Sequence, residues 1–479
     1  MTSLDGFDHP LTGRYASEEM RRLFSTGHRY TTWRRMWLAL AEAESELGLE
    51  IPAEALEQMR AHLEITEDDL DRVREYEKRT RHDVMAHLEA FADRAPAAKP
   101  ILHLGATSAF VGDNAELLIT RDALDLVIQR VMAVAAALAA FAEEWADEPT
   151  LGMTHFQPAQ PTTVGKRACL WLQDFLLDLE RLRFERARLK LRGAKGTTGT
   201  QATFLELFDG DHDKVRELDR LVARKVGFDA TYPVTGQTYP RKIDAFVLDA
   251  LSGVAQSAAK LSTDIRLLAR LKELREPMAS GQVGSSAMPY KANPMRSERV
   301  TALARWLIAM AANPAQTAAS QWLERTLDDS ANRRMALPEA FLGADAILTI
   351  VQNVVNGLQV FPAMVARNLA EELPLMASEA ILMEGVRRGG DRQELHERLR
   401  LHARAAAQAV LSDGADNPYL ALVADDPEVP LNRGELEALL EPARFVGRAP
   451  EQVREFLAEV VQPVLEEAGE LPEAKDLDV

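Results

Sequence analysis

The sequence predicts an all-α chain of three helical domains, with a central elongated bundle of long helices. Three observations carry that reading. Strand signals are scarce. Stretches without glycine or proline run far beyond the mean helix length of about 11 residues. Apolar side chains recur along those stretches at helical spacing.

Trp33, Met36, Trp37, Leu40 and Leu47 share one helical face, and Gly48 ends their segment. Asp113 to Glu148 contains no glycine or proline. At 1.5 Å per residue it makes a helix of roughly 50 Å. Leu117, Leu124, Val131, Leu138 and Trp145 fall every seven residues along it, with a second seam at Val127, Val134 and Phe141. That spacing belongs to near-parallel helix packing. Lys166 to Arg192 is equally unbroken, and in Arg241 to Glu276 only Gly253 interrupts. Further helices are expected over Arg296–Ala312 and Leu342–Asn356. Helices this long cannot cover their apolar surface inside one small domain, so the bundle is expected to bury more of it against other subunits. Glycine and proline cluster near Gly105, Gly152–Pro161, Gly193–Gly199, Gly281–Pro294 and Gly389–Gly390, which read as loops. The chain divides into an N-terminal helical domain (1–107), the bundle (108–360) and a C-terminal helical domain (361–479).

With 479 residues and a net charge of −18, the chain is a poor candidate for nonspecific nucleic-acid binding. Its single cysteine, Cys169, excludes an intrachain disulfide and a cysteine zinc site. Residues 1–20 carry acidic side chains and no apolar core of a leader. The most apolar run, Val131–Ala142, falls short of the ~20 residues of a membrane span. These features lead us to expect a cytoplasmic protein without nucleic-acid or membrane partners.

Three polar loops interrupt the helices: Leu104-Gly-Ala-Thr-Ser108, Gly152-Met-Thr-His-Phe-Gln-Pro-Ala-Gln-Pro161 and Gly284-Ser-Ser-Ala-Met-Pro-Tyr-Lys-Ala-Asn-Pro294. The third resembles the signature of the fumarase/aspartase superfamily, Gly-Ser-Ser-x-Met-Pro-x-Lys-x-Asn-Pro. Further strings narrow the resemblance to the adenylosuccinate lyase family, in the branch that includes the animal enzymes. They are Arg14-Tyr15-Ala-Ser, Arg81-His-Asp-Val-Met-Ala-His87, Thr154-His-Phe-Gln-Pro, Lys195-Gly-Thr-Thr-Gly-Thr-Gln201, Gly236-Gln-Thr-Tyr239 and Arg325-Thr-Leu-Asp-Asp-Ser-Ala-Asn-Arg-Arg334. The similarity runs from near residue 11 to near residue 465.

The resemblance implies anti β-elimination of fumarate from succinylated purine nucleotides, with no cofactor and no metal. Such chemistry needs a base for a weakly acidic proton, donors for the charge that builds on a carboxylate, and an acid for the leaving nitrogen. By resemblance, His155 is the general acid and Ser285 the general base. His82 supports catalysis near the phosphate, and Lys291 sits with Asn293 in the closing loop. Arg14, Tyr15, Arg81 and Asp83 match nucleotide-binding positions. Thr107, Ser108 and Gln237 match residues that hold the succinyl carboxylates or position the substrate, and Thr154 precedes the acid. Arg299, Arg325, Ser330 and Arg334 match further contacts to the nucleotide and its phosphate. The resemblance also implies a homotetramer whose sites are shared between chains.

Simpler readings stand beside these. His87 and His103 read as structural histidines, and Ser286 as a backbone-shaping neighbour. Many relatives have arginine after the loop lysine where this chain has Ala292. Argininosuccinate lyase, an aspartase-like enzyme and a non-catalytic structural relative are the competing readings. The Arg81–Asp83 and Arg325–Arg334 strings argue against the first two, and the presence of both His155 and Ser285 against the third.

Overall fold

The structure is a computed structural model and describes residues 7–278, 281, 287–288 and 290–474. The N-terminal region supplies α1 (Thr26–Glu46), α2 (Glu67–Thr80) and α3 (Asp83–Arg94). The bundle consists of α4 (Ser108–Glu144), α5 (Val164–Arg188), α6 (Lys242–Arg270), α7 (Met295–Met310) and α8 (Asp328–Asn356). Helix α4 packs along α5 and α8, and α6 along α5, α7 and α8. Leu117, Leu124, Val127, Val131, Val134, Leu138 and Phe141 are buried as the heptad spacing predicts, whereas Trp145 caps the C-terminus of α4 and is half-buried. Gly48 follows α1 with φ +98°, a conformation open to glycine at little cost.

Two expectations are corrected. Gly152–Pro161 is not a loop but most of a β-hairpin, β1 (Pro149–Thr154) against β2 (Gln157–Thr163). His155 and Phe156 form its two-residue turn, both with positive φ (56° and 57°). Such a turn matches the twist of the paired strands. A register shift falls between Leu151 and Met153. There the missing side chain of Gly152 lets the Gln160 carbonyl approach; a Cβ would lie 2.2 Å from it. Helix α8, in turn, begins at Asp328 rather than Leu342 and runs through Pro338.

Helices α4 and α8 are both long and apolar enough, by length and composition, to cross a membrane, so the apolar run extends beyond Val131–Ala142. Both lie in the bundle, and 56% and 83% of their apolar windows are buried there. The C-terminal helices α9 (Pro362–Met376), α10 (Ser378–Arg387) and α11 (Arg392–Asp413) lead into a second apolar cluster, around Ile381, Leu395, Leu399, Tyr419 and Leu436. The chain then returns to the bundle, where α12 (Ala449–Phe456) packs on α5 and α4.

A buried polar knot joins the N-terminal segment to the bundle. Asp345 of α8 accepts from the Ser17 backbone N–H at 2.6 Å, the Ser17 hydroxyl at 3.0 Å and Arg130 Nε of α4 at 3.3 Å. Arg130 and Asp345 have almost no solvent contact. Removing one member of such a pair strands the other charge in a medium that cannot solvate it. Asp345→Ala is therefore expected to lower stability by about 3–5 kcal/mol, read as a shift of the chemical unfolding midpoint, whereas a loss within about 0.5 kcal/mol would mean that the knot carries no structural weight.

Candidate active site

Several helix N-termini converge on one open cleft of about 570 Å³. Its walls include Arg81–Val84 at the start of α3, Thr107–Ala109 at the start of α4, Arg241 before α6, and Leu327, Asp329 and Ser330 at the start of α8. Helix N-termini present unpaired backbone N–H groups and the positive end of the helix dipole, so this convergence favours an anion. The local sequence explains each turn. Arg81 ends α2 in the left-handed region (φ 53°), and the chain re-enters helix with His82 as N-cap. Before α4, Gly105 has φ 66°, and a Cβ there would meet Phe204 at 2.8 Å.

The charges of the cleft fall into two layers. In the floor, Arg241 donates Nη1 and Nη2 to Asp113 (3.1 and 2.9 Å) and Nε to Asp329 (2.6 Å). Arg333 donates Nε to Asp244 at 2.6 Å and lies 2.7 Å from Glu116. Burial alone would raise the Asp113 carboxyl, but Arg241 and Arg333 overcome it and hold the group below its ordinary range. The floor cations are thus fully engaged, two guanidinium groups against four carboxylates. At the mouth, Arg334 meets Asp83 at 3.1 Å and Arg325 donates to the Gln237 side-chain oxygen at 2.9 Å. Arg29 and Arg81 make no ion pair among the described residues. The free cationic capacity therefore sits at the mouth, where an incoming phosphate or carboxylate would meet it.

His82 is poised between two helices. Its Nδ1 accepts from the Met85 backbone N–H at 3.4 Å, and its Nε2 lies 3.3 Å from Ser108 Oγ. With Nδ1 accepting, the proton of a neutral ring sits on Nε2 and is donated to Ser108. The Thr107 hydroxyl makes no capping bond to α4. His87 and His103 have structural surroundings. His87 stacks on Tyr30 with centroids 3.8 Å apart, and His103 accepts through Nδ1 from Trp37 Nε1 at 2.9 Å. Burial pushes both imidazoles down to about 4, helped by Arg34 for His87 and by His82 for His103.

The cleft brings together Arg81, His82, Asp83, Thr107, Ser108, Gln237, Arg325, Ser330 and Arg334 from the residues that the sequence singled out. It does not contain the others. Thr154 and His155 are exposed at the hairpin tip. The guanidinium groups of Arg14 and Arg299 both approach the Tyr15 ring, 5.9 and 5.4 Å from its centroid. Lys291 is exposed, with its backbone N–H on the Met288 carbonyl at 3.0 Å, and Asn293 is half-buried close to α7. Ser285, with Gly284, Ser286 and Pro289, lies outside the described residues. The sequence reading missed Arg29, Tyr30, Trp33, Glu116, Arg241 and Arg333. One signal was available: Asp113 and Asn114 lie among apolar residues near the start of α4, and buried charge there demands a partner.

The chain matches the family described as "Lyase" over residues 13–308 and that described as "Adenylosuccinate lyase C-terminus" over residues 374–456. It is 52% identical to an adenylosuccinate lyase of Saccharomyces cerevisiae over 469 residues, 97% of each chain. It is 45% identical to that of Schistosoma mansoni, again over 97% of each chain. For Pyrococcus abyssi the identity is 33%, over 96% of this chain and 98% of the relative. Among solved structures it resembles a fumarate lyase from Mesorhizobium sp. BNC1 (TM-score 0.79, 28% identity, 93% of this chain and 99% of that one). It also resembles a 3-carboxy-cis,cis-muconate lactonizing enzyme from Pseudomonas putida (TM-score 0.82, 26% identity, 96% and 100%).

The two buried histidines make a pH prediction. Folded, His87 and His103 take a proton only near pH 4, whereas unfolded they do so near 6.5. Between those values the unfolded chain binds more protons, so stability falls as pH drops from 6.5 towards 4. The expected slope is roughly 1.4 kcal/mol per pH unit for each ring. Urea unfolding across that range should show the decline, and His87→Phe should flatten it; a slope unchanged by that substitution would contradict the assignment.

Proposed function

The chain belongs to the adenylosuccinate lyase family, and from that premise we propose how its residues divide the elimination of fumarate from adenylosuccinate. A base takes a proton from the succinyl carbon beside a carboxylate. The electron pair becomes the double bond of fumarate as the carbon–nitrogen bond breaks, and an acid protonates the departing nitrogen to leave AMP. The succinylated imidazole-carboxamide nucleotide undergoes the same change, because the succinyl-amine is common to both substrates.

The observation that carries this reading is the cleft itself, a floor of paired charges beneath a mouth with cations to spare. Arg81 and Arg334, with Ser330, are suited to the phosphate; Thr107, Ser108 and Gln237 to the succinyl carboxylates. The Arg14–Tyr15–Arg299 cluster offers an aromatic face flanked by charge for the nucleotide. We assign His155 as acid and Ser285 as base, with Lys291 and Asn293 meeting the charge on the aci-carboxylate. A homotetramer with shared sites accounts for the distribution of these groups. Neither the hairpin tip nor the Tyr15 cluster lines the cleft of its own chain, and an acid must reach the leaving nitrogen.

Purified protein given adenylosuccinate and no added metal should release fumarate. His155→Ala should cut the rate by about 10²–10⁴-fold with the fold retained. Near-normal turnover would remove His155 as the acid. No release from folded wild-type protein would shift the reading to argininosuccinate or to a silent relative.

A further inference from the structure

We propose that Asp329 is a positioning residue for the carboxylate-binding amide of Gln237, acting through Arg325. The proposal rests on the reading above, in which Gln237 meets the succinyl carboxylates. The Asp329 side chain has no solvent contact. Its Oδ2 is taken by Arg241 Nε at 2.6 Å, and Arg241 is itself held two-pronged by Asp113. Asp329 therefore cannot drift. Its Oδ1 has no hydrogen-bond donor among the described residues and lies 3.8 Å from Arg325 Nη2. A buried carboxylate oxygen without a donor is costly, and in a low-dielectric setting its pull on the nearest cation is strong. Asp329 thereby holds the Arg325 guanidinium against the inner wall.

From that position Arg325 Nη1 donates to Gln237 Oε1 at 2.9 Å. The amide is thus oriented. Its oxygen is occupied, and what it offers an incoming carboxylate is its NH₂ group, two donors and no acceptor. The Gln237 backbone is fixed from both sides, its N–H donating to the Glu324 carbonyl at 3.0 Å and its carbonyl accepting from Arg192 Nε at 2.7 Å. With Arg325 displaced, the amide is free to turn and present its oxygen to the carboxylate, which repels it. The relay Asp113–Arg241–Asp329–Arg325–Gln237 runs from the bundle to the cleft without a gap beyond ion-pair distance.

The sign of the effect separates this role from simple electrostatics. Asp329 is an anion in an anion-binding cleft, so by charge alone its removal should tighten substrate binding. A positioning role requires the opposite. In full-length enzyme shown to release fumarate, Asp329→Asn should raise KM for adenylosuccinate and the inhibition constant for fumarate about 10-fold or more, the scale of one charge-assisted hydrogen bond. Partial unfolding lowers apparent kcat and leaves KM unchanged, so the KM readout excludes mere destabilisation. Arg325→Gln and the Arg325→Gln/Asp329→Asn double variant should bind fumarate equally weakly, because both act on one link. Where Asp329→Asn does not fold, Asp329→Glu keeps the charge, displaces the oxygen facing Arg325, and should also weaken fumarate binding. Unchanged or tighter binding in the folded variant, or additive losses in the double variant, overturns the proposal. Wild-type protein that releases no fumarate would instead overturn the functional reading on which it rests.

Discussion

Two guanidinium groups with almost no access to water, Arg241 and Arg333, constrain everything around the cleft. A buried charge must be paired or it will not stay charged. Their partners come from elements far apart in sequence: Asp113 and Glu116 from α4, Asp244 from α6, Asp329 from α8. Pairing them fixes the ends of three bundle helices relative to one another. Because those partners consume the floor charges, the cations left for a ligand are the ones at the mouth. Helix register, charge balance and ligand capacity are in this sense one arrangement.

The long helices were legible in the sequence because their cause is local. Absence of glycine and proline over Asp113–Glu148, with apolar residues every seven positions, leaves little alternative to α4. Misreadings arose where tertiary context overrode local signals. Pro158, Pro161 and Gly152 look like loop residues, yet in a two-stranded hairpin the prolines can occupy positions that need no ladder donor. Pro338 hid the first half of α8 for the same reason: a proline costs a helix several kcal/mol alone, but α8 is embedded between α4, α6 and α7, whose packing fixes its course.

For the cleft, the string matches located the mouth and missed the floor. Arg81, Gln237 and Arg325 stand in polar strings that can be compared directly. Arg241 has no such local mark, and Arg333, although inside the Arg325–Arg334 string, is not marked there as a floor residue; their meaning lies in pairings across 128 and 89 residues of chain. The histidines sort by surroundings in the same way. His82 faces Ser108 at the cleft, whereas His87, five residues on, turns into an aromatic stack.

The proposed elimination draws on groups from different chains: the cleft of one, the exposed hairpin tip of another, and the loop of Ser285. Mixed oligomers of His155→Ala and Ser285→Ala chains test it most directly. With one intact acid and one intact base needed from separate chains, random mixing in equal amounts restores about a quarter of wild-type fumarate release. If both groups of a site came from one chain, no mixed site would hold both, and verified mixed oligomers without activity would contradict the account.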